Sequence, residues 1–293
     1  MKIVSASVLL LFFIVFGPAH AMDVTGLNEP ESVFKDPQTG TYYISNVNGD
    51  PLEKDNNGYI TKISPDEVVV VLKFVEGREG GTELHAPKGL WIEKTTIFVA
   101  DIDALKGFDL ETGDMKYDIT FDPAPGLLND VTLGWGSRLY VSDMLGNRIY
   151  QVDPAKNYEV SVFKEGEELG QPNGLLFNEH TQRLLVATSQ EGSILEIDQE
   201  GNVSRLRGGL AGLDGMAADH EGNLYVSSFD KGEIYKISSW GKGDLQLFET
   251  GLTTPADIFF DAERNELLVP LMKMSSTISL NAANAQKGQY KSR

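Results

Sequence analysis

The stretch Pro172–Ser189, PNGLLFNEHTQRLLVATS, places an Asn-Gly pair at the mouth of a short apolar run, passes a polar turn at Asn178-Glu179-His180 and returns as a second apolar run. Residues 213–228, LDGMAADHEGNLYVSS, repeat the arrangement with Asp214-Gly215 at the mouth and Asp219-His220-Glu221-Gly222 at the turn. Two strand-length apolar runs joined by a polar turn read as a β-hairpin with a polar residue marking its entrance. Asn-Gly and Asp-Gly are also ordinary turn formers, so one such pair alone says little.

Further entrances give the pattern its weight. Lys88 opens APKGLWIEKTTIFVAD, Asn129 opens LLNDVTLGWGSRLYVSD and Asp257 opens PADIFFDAERNELLVPL, so that Lys88, Asn129, Asn173, Asp214 and Asp257 follow at spacings of 41, 44, 41 and 43 residues. Third strands come next (GNRIYQVD, GSILEID, GEIYKIS), and then more polar outer strands (YEVSVFKE, VSRLRG, LQLFET). A period of about 40 to 45 residues with four short strands per unit is the signature of propeller blades. An earlier unit, PESVFKDPQTGTYYISNV followed by GYITKIS, places Glu31 at the equivalent entrance. It stands 57 residues before Lys88, and the polar loop NGDPLEKDNN at 48–57 absorbs the excess.

Six such units fill residues 22–293 as a single domain, and almost nothing has helical period. The expected fold is therefore all-β, one six-bladed β-propeller with four antiparallel strands per blade. Closing the ring requires a strand from one terminus, and residues 22–27 are the better candidate. The polar tail NAQKGQYKSR is expected to fray.

Composition narrows the function. The chain opens MKIVSASVLLLFFIVFGPAHA, with an apolar run from Val8 to Phe16, a Gly17-Pro18 break and a small-x-small ending. That reads as a signal peptide over residues 1–21, cleaved after Ala21 and giving a secreted or periplasmic protein. The run is too short for a resident membrane helix. There is no Cys, which removes disulfides, thiolate nucleophiles and sulfur-ligated metals. A formal charge of -18 repels phosphate backbones and anionic lipids, so neither nucleic acid nor a membrane is the expected partner. A monomer acting on a small molecule is expected.

Inner strands of a propeller run in one direction along the channel, so residues at the same phase form a ring. Glu31, Lys88, Asn129, Asn173, Asp214 and Asp257 should meet there. Converging carboxylates repel one another unless something positive sits among them. Hard oxygen ligands without His or Cys suit Ca²⁺ best, with Mg²⁺, Mn²⁺ or Zn²⁺ as alternatives.

The blade motifs ESVFKDPQTGTYYI, LLNDVTLGWGSRLYVSD, PNGLLFNEHTQRLLVAT and LDGMAADHEGNLYVSSFDKGEIYKI resemble those of the senescence marker protein/gluconolactonase (regucalcin-like) family, whose wider circle includes paraoxonases and strictosidine-synthase-like proteins. The resemblance covers most of residues 22–293. It implies a six-bladed propeller with one divalent cation in the channel and, in enzymatic members, lactone hydrolysis. The family's metal ligands match Glu31, Asn173 and Asp214, and an Asn that binds substrate or metal matches Asn129. Departures stand beside these matches. The first motif reads Glu31-Ser32-Val33-Phe34 where relatives carry Gly-Pro and a Trp, and Asn129-Asp130 continues as VTLG without an Arg to grip sugar hydroxyls. Lys88 stands where the paraoxonase-like branch carries a His.

Hydrolysis of a lactone-like ester is the leading expectation, with the ion polarising the carbonyl, Asn129 orienting substrate and Asp214 or Asp257 taking the proton. Lys88 and His85, at the rim of the second blade, are the further candidates for substrate contact. The alternative is a non-catalytic exported propeller whose structural ion supports binding of a small ligand or protein partner, since fold alone cannot choose. No G-x-S-x-G elbow or P-loop is present. His180 and His220 are expected to be solvated turn residues, and Trp91, Tyr140, Tyr150, Tyr225 and Tyr235 inter-blade packing.

Overall fold

The computed structural model describes residues 22–66, 69–283 and 288–289, so the leader at 1–21 lies outside the described residues. Six antiparallel sheets follow one another along the chain, each with its first strand innermost. The inner strands are Pro30–Lys35, Pro87–Glu93, Leu128–Leu133, Pro172–Asn178, Leu213–Ala218 and, in blade six, the short Phe259–Asp261 preceded by an isolated Pro255–Leu271 bridge. Successive inner strands touch, and that of blade six meets those of blades five and one, which closes the ring.

Each blade's second strand is covered on both faces by neighbouring blades. It is accordingly buried along its whole length in Tyr42–Asn46, Leu139–Asp143 and Leu224–Ser228, each of which opens on three apolar or aromatic residues and ends on two polar ones. Outer strands such as Glu159–Glu165 face water and alternate in exposure. Among the described residues the core comprises six inter-blade clusters, among them Phe98, Leu105, Leu128 and Val141 between blades two and three, and Val24, Val33, Ile44 and Leu268 between blades six and one, and a smaller seventh of Val47, Ala86, Ile102 and Leu127. Each fully buried aliphatic contributes roughly 1.5–3 kcal/mol. Tyr140, Tyr150, Tyr225 and Tyr235 lie in these clusters, whereas Trp91 is only partly covered and lines the channel.

The closing strand is Asp23–Thr25, which pairs with Ser276–Asn281 of blade six, as expected of residues 22–27. The tail departs from the expected fraying in one place. Gly288–Gln289 pairs with Leu245–Thr250 as a fifth strand on blade five.

The inner strands of blades one to five carry a register shift at the entrance: two residues on the inner strand oppose one on the next. The pairs are Glu31-Ser32, Lys88-Gly89, Asn129-Asp130, Asn173-Gly174 and Asp214-Gly215. In three blades the opposing residue is a serine that clamps the bulge. Ser142 Oγ accepts from Asp130 N (2.9 Å) and donates to Asn173 O of the next blade (2.7 Å), and Ser227 Oγ accepts from Gly215 N (2.9 Å) and donates to Ala256 O (2.8 Å). Ser45 Oγ accepts from Ser32 N in the same way (2.9 Å).

The bulges also explain the recurring glycine. None of Gly89, Gly174 and Gly215 has a positive φ, so a turn conformation is not the reason for it. Instead, a Cβ at Gly174 would stand 2.3 Å from Asp214 O, and one at Gly215 would stand 2.4 Å from Asp257 Oδ1. Neighbouring blades approach too closely for any side chain there.

Candidate functional site

Glu31, Lys88, Asn129, Asn173 and Asp214 share the first bulge position in blades one to five, so the structure brings these five to one end of the channel. All are buried. Blade six departs from the expected register. Its flanking pairs Pro255–Leu271 and Phe259–Leu268 place Ala256 at the ring phase and Asp257 one residue further along. Asp257 is therefore level with Ser32, Gly89, Asp130, Gly174 and Gly215. The sequence spacing of 43 residues concealed a slip of one.

Three of the ring residues have a buried oxygen without a hydrogen-bond partner: Glu31 Oε2, Asn173 Oδ1 and Asp214 Oδ1. Such atoms cost on the order of 1–3 kcal/mol each unless something pairs with them. Burial is the main cause that pushes the Glu31 carboxyl well above its ordinary range, followed by the charges of Asp214 and Asp257, while Lys88 pulls the other way. Asp214 is pushed up to about 8, first by burial and then by Asp257. Among the described residues no three of His, Cys, Asp and Glu stand close enough to hold a metal ion by themselves. An ion at the ring would have to draw on the amide oxygens of Asn173 and Asn129, and Asn173 has one free. The donor set is oxygen throughout, which fits a hard cation.

Lys88 is fixed from above. Its Nζ donates to Ala86 O (2.8 Å) and to Pro51 O (3.1 Å), so the 48–57 loop reaches over this side of the ring. Burial lowers the Lys88 pKa against the opposing pull of Glu31. His85 belongs to the same interlock. Its Nδ1 accepts from Asn56 N (3.0 Å), which leaves the proton on Nε2, facing Glu83 Oε1 at 3.3 Å. The Nδ1 of this candidate for substrate contact is therefore engaged by the 48–57 loop. His180 and His220 are exposed as expected, His180 stacking on Trp240 at 5.9 Å.

One level deeper lies a carboxylate that the sequence comparison passed over. Asp130 fills the second bulge position where three other blades carry glycine, and Gly89 leaves room for it, since a Cβ there would stand 2.2 Å from Asp130 Oδ1. Its oxygens accept from Val131 N (2.7 Å) and Leu175 N (2.6 Å). Burial nevertheless pushes its pKa well up, with Asp257 adding to the effect. The signal was present in the Asn-Asp pair at 129–130, an acid standing where Asn-Gly and Asp-Gly stand elsewhere. Asp257 Oδ2 accepts from Ser32 Oγ at 2.6 Å.

Beyond this level the channel changes character. A cavity of about 260 Å³ is lined by inner-strand residues of all six blades, with Asp130 and Asp257 at its inner end and Phe34, Trp91, Leu176, Met216, Phe259 and Phe260 among its walls. It occupies the end of the channel opposite the ring, because its lining lies downstream of the entrance on every inner strand.

No family model matches the chain, and no curated protein matches it in sequence. Solved structures share its fold. Virginiamycin B lyase from Staphylococcus aureus aligns with a TM-score of 0.66 at 15% identity over 93% of this chain and 89% of its own. A protein described as a candidate gluconolactonase aligns with a TM-score of 0.67 at 16% identity, over 90% and 93% of the two chains. A streptogramin B lyase gives 0.62 at 12% identity over 89% and 96%. At such identities the likeness is one of fold.

Proposed function

We propose that the chain is an exported divalent-metal-dependent hydrolase of lactone-like esters, with its ion, Ca²⁺ foremost, held by Glu31, Asn173 and Asp214. The observation that carries this reading is the set of three buried, partnerless oxygens on those residues, at one register of blades one, four and five. A bound cation would supply electrophilic stabilisation of the ester carbonyl. Asn129, 7% exposed at the same level, presents an amide to orient the substrate. With the ion bound and its carboxylate ionised, Asp214 would accept a proton from the attacking water. Asp257, one level deeper, leaves that role at the ring to Asp214. Two of the three Lys88 N–H groups are taken by Ala86 O and Pro51 O, and the third remains for a substrate oxygen or for Glu31. The ring has no arginine to grip sugar hydroxyls, which favours a lactone less polar than an aldonolactone.

The alternative, a non-catalytic propeller with a structural ion, draws support from the way Pro51 closes over Lys88. Assay of aldonolactones, alkyl lactones and aryl esters with Ca²⁺, Mg²⁺, Mn²⁺ and Zn²⁺ separates the two. The hydrolase reading expects turnover of at least one substrate, abolished by Asp214→Ala. It expects Asn129→Ala to keep the ion and lose turnover. An ion-dependent rise in melting temperature without turnover of any substrate would favour the binding protein, and no ion dependence at all would remove the metal site.

A further inference from the structure

The cavity at the far end of the channel has a chemistry of its own. Its lining contains two carboxylates, Asp130 and Asp257, and no cationic side chain. Lys88, the cation of the axis, lies at the ring end. Of the four axial carboxylates Glu31, Asp130 and Asp214 are buried, whereas Asp257 keeps partial exposure, and it lines this cavity. The walls are aromatic and aliphatic, with Phe34 packed against both Trp91 and Phe259 at ring-centroid separations of 5.2 Å. An apolar enclosure with a carboxylate floor repels anions and gives a neutral apolar molecule no use for that floor. Aromatic faces around a negative floor favour an organic cation through ring quadrupole and charge together. The chain's overall charge of -18 acts in the same direction.

We propose that the apolar end of the channel is a second binding site, separate from the oxygen ring, that takes a small organic ammonium ion with its charge on Asp257 and its body against Phe34, Trp91, Phe259 and Phe260. A volume of about 260 Å³ admits a molecule the size of benzylammonium and lies just below the range of about 300–1,000 Å³ usual for ligand pockets. The site goes beyond the hydrolase reading and stands without it.

Calorimetric titration of the full chain with benzylammonium, with benzyl alcohol as neutral counterpart of equal size and with phenylacetate as anion, tests the assignment. Benzylammonium is expected to bind at one site at least tenfold more tightly than benzyl alcohol, with phenylacetate not binding. Asp257→Asn should weaken benzylammonium tenfold or more and leave benzyl alcohol unchanged. Ala218→Trp, which fills the cavity wall without touching a carboxylate, should abolish binding while the melting temperature holds. Equal affinities for cation and alcohol, no binding of the cation, or indifference to either substitution would overturn the proposal. So would competition by Ca²⁺ that survives Ala218→Trp, which would place the ammonium at the ring. Because no readout is turnover, failure here leaves the hydrolase reading standing, and the converse holds as well.

Discussion

The two ends of the channel are built from the same six strands and differ in almost everything else. At the entrance stand Glu31, Lys88, Asn129, Asn173 and Asp214, all buried, with one oxygen of Glu31, Asn173 and Asp214 short of a partner. A few residues downstream the strands present Phe34, Trp91, Leu176, Met216 and Phe259 around an apolar cavity. The difference teaches that depth in this channel is set by position along the strand. All inner strands run the same way, so each register becomes one layer of the axis. Polar atoms gather in the entrance layer because the bulges there break the ladder and turn side chains inward, whereas the regular pairing that follows returns to packing. Asp130 and Asp257 mark the boundary between the two regimes.

The entrance layer should therefore carry a strain that the apolar end lacks, and pH is the strongest way to expose it. Asp214 is pushed up to about 8, chiefly by burial, against about 4 for an unfolded Asp. Between those values the native state binds more protons than the unfolded chain, so stability of the ion-free protein falls as pH rises. In chelator the melting temperature should drop on the order of 10 °C from pH 5 to pH 8, and saturating Ca²⁺ should remove most of that slope. A flat profile in chelator would mean the entrance carboxylates are not strained.

Gly174→Ala tests the seam between the two layers. The new methyl would meet Asp214 O at 2.3 Å, and overpacking against backbone costs about 3 kcal/mol, or roughly 6–9 °C in melting temperature. Gly208→Ala, whose Cβ meets nothing nearer than 3.3 Å, should change stability by less than about 0.5 kcal/mol. Equal effects at the two glycines would deny the close approach of the blades.

Asp214→Asn should act with opposite signs in the two states of the ring. Without metal at pH 8 it removes a buried charge and should stabilise by about 2 kcal/mol, while the gain in melting temperature on adding Ca²⁺ should disappear. A loss of stability in chelator would show that the Asp214 carboxylate is already compensated within the protein.

The smallest effect is expected at Ser227→Ala, which leaves Gly215 N and Ala256 O without their shared hydroxyl. A cost of about 1.5 kcal/mol follows from two lost hydrogen bonds in a buried site. Ser142→Ala should cost about the same, since Ser142 bridges blades three and four in the same way. No loss at either would assign the inter-blade seam to apolar packing alone.

Blade count, strand order and the ring of Glu31, Lys88, Asn129, Asn173 and Asp214 were legible in the sequence, because a repeat of about 40 residues imposes the same local hydrophobic pattern on each unit and equal phase implies equal depth. The closing strand at 22–27 was legible because a ring of blades must be closed by a strand from one terminus. Tertiary structure alone decided the remainder. It moved Asp257 one level off the ring, because a bulge shifts register by one residue without changing the run of apolar residues that spacing measures. It gave the Asn-Gly and Asp-Gly glycines their reason, a close approach between blades far apart in sequence. It also occupied His85 Nδ1 through Asn56, opened the cavity beside Trp91 and made Asp130 part of the axis. Each of these depends on which atoms from different blades share one small volume, and a pattern read within a single blade does not contain that information.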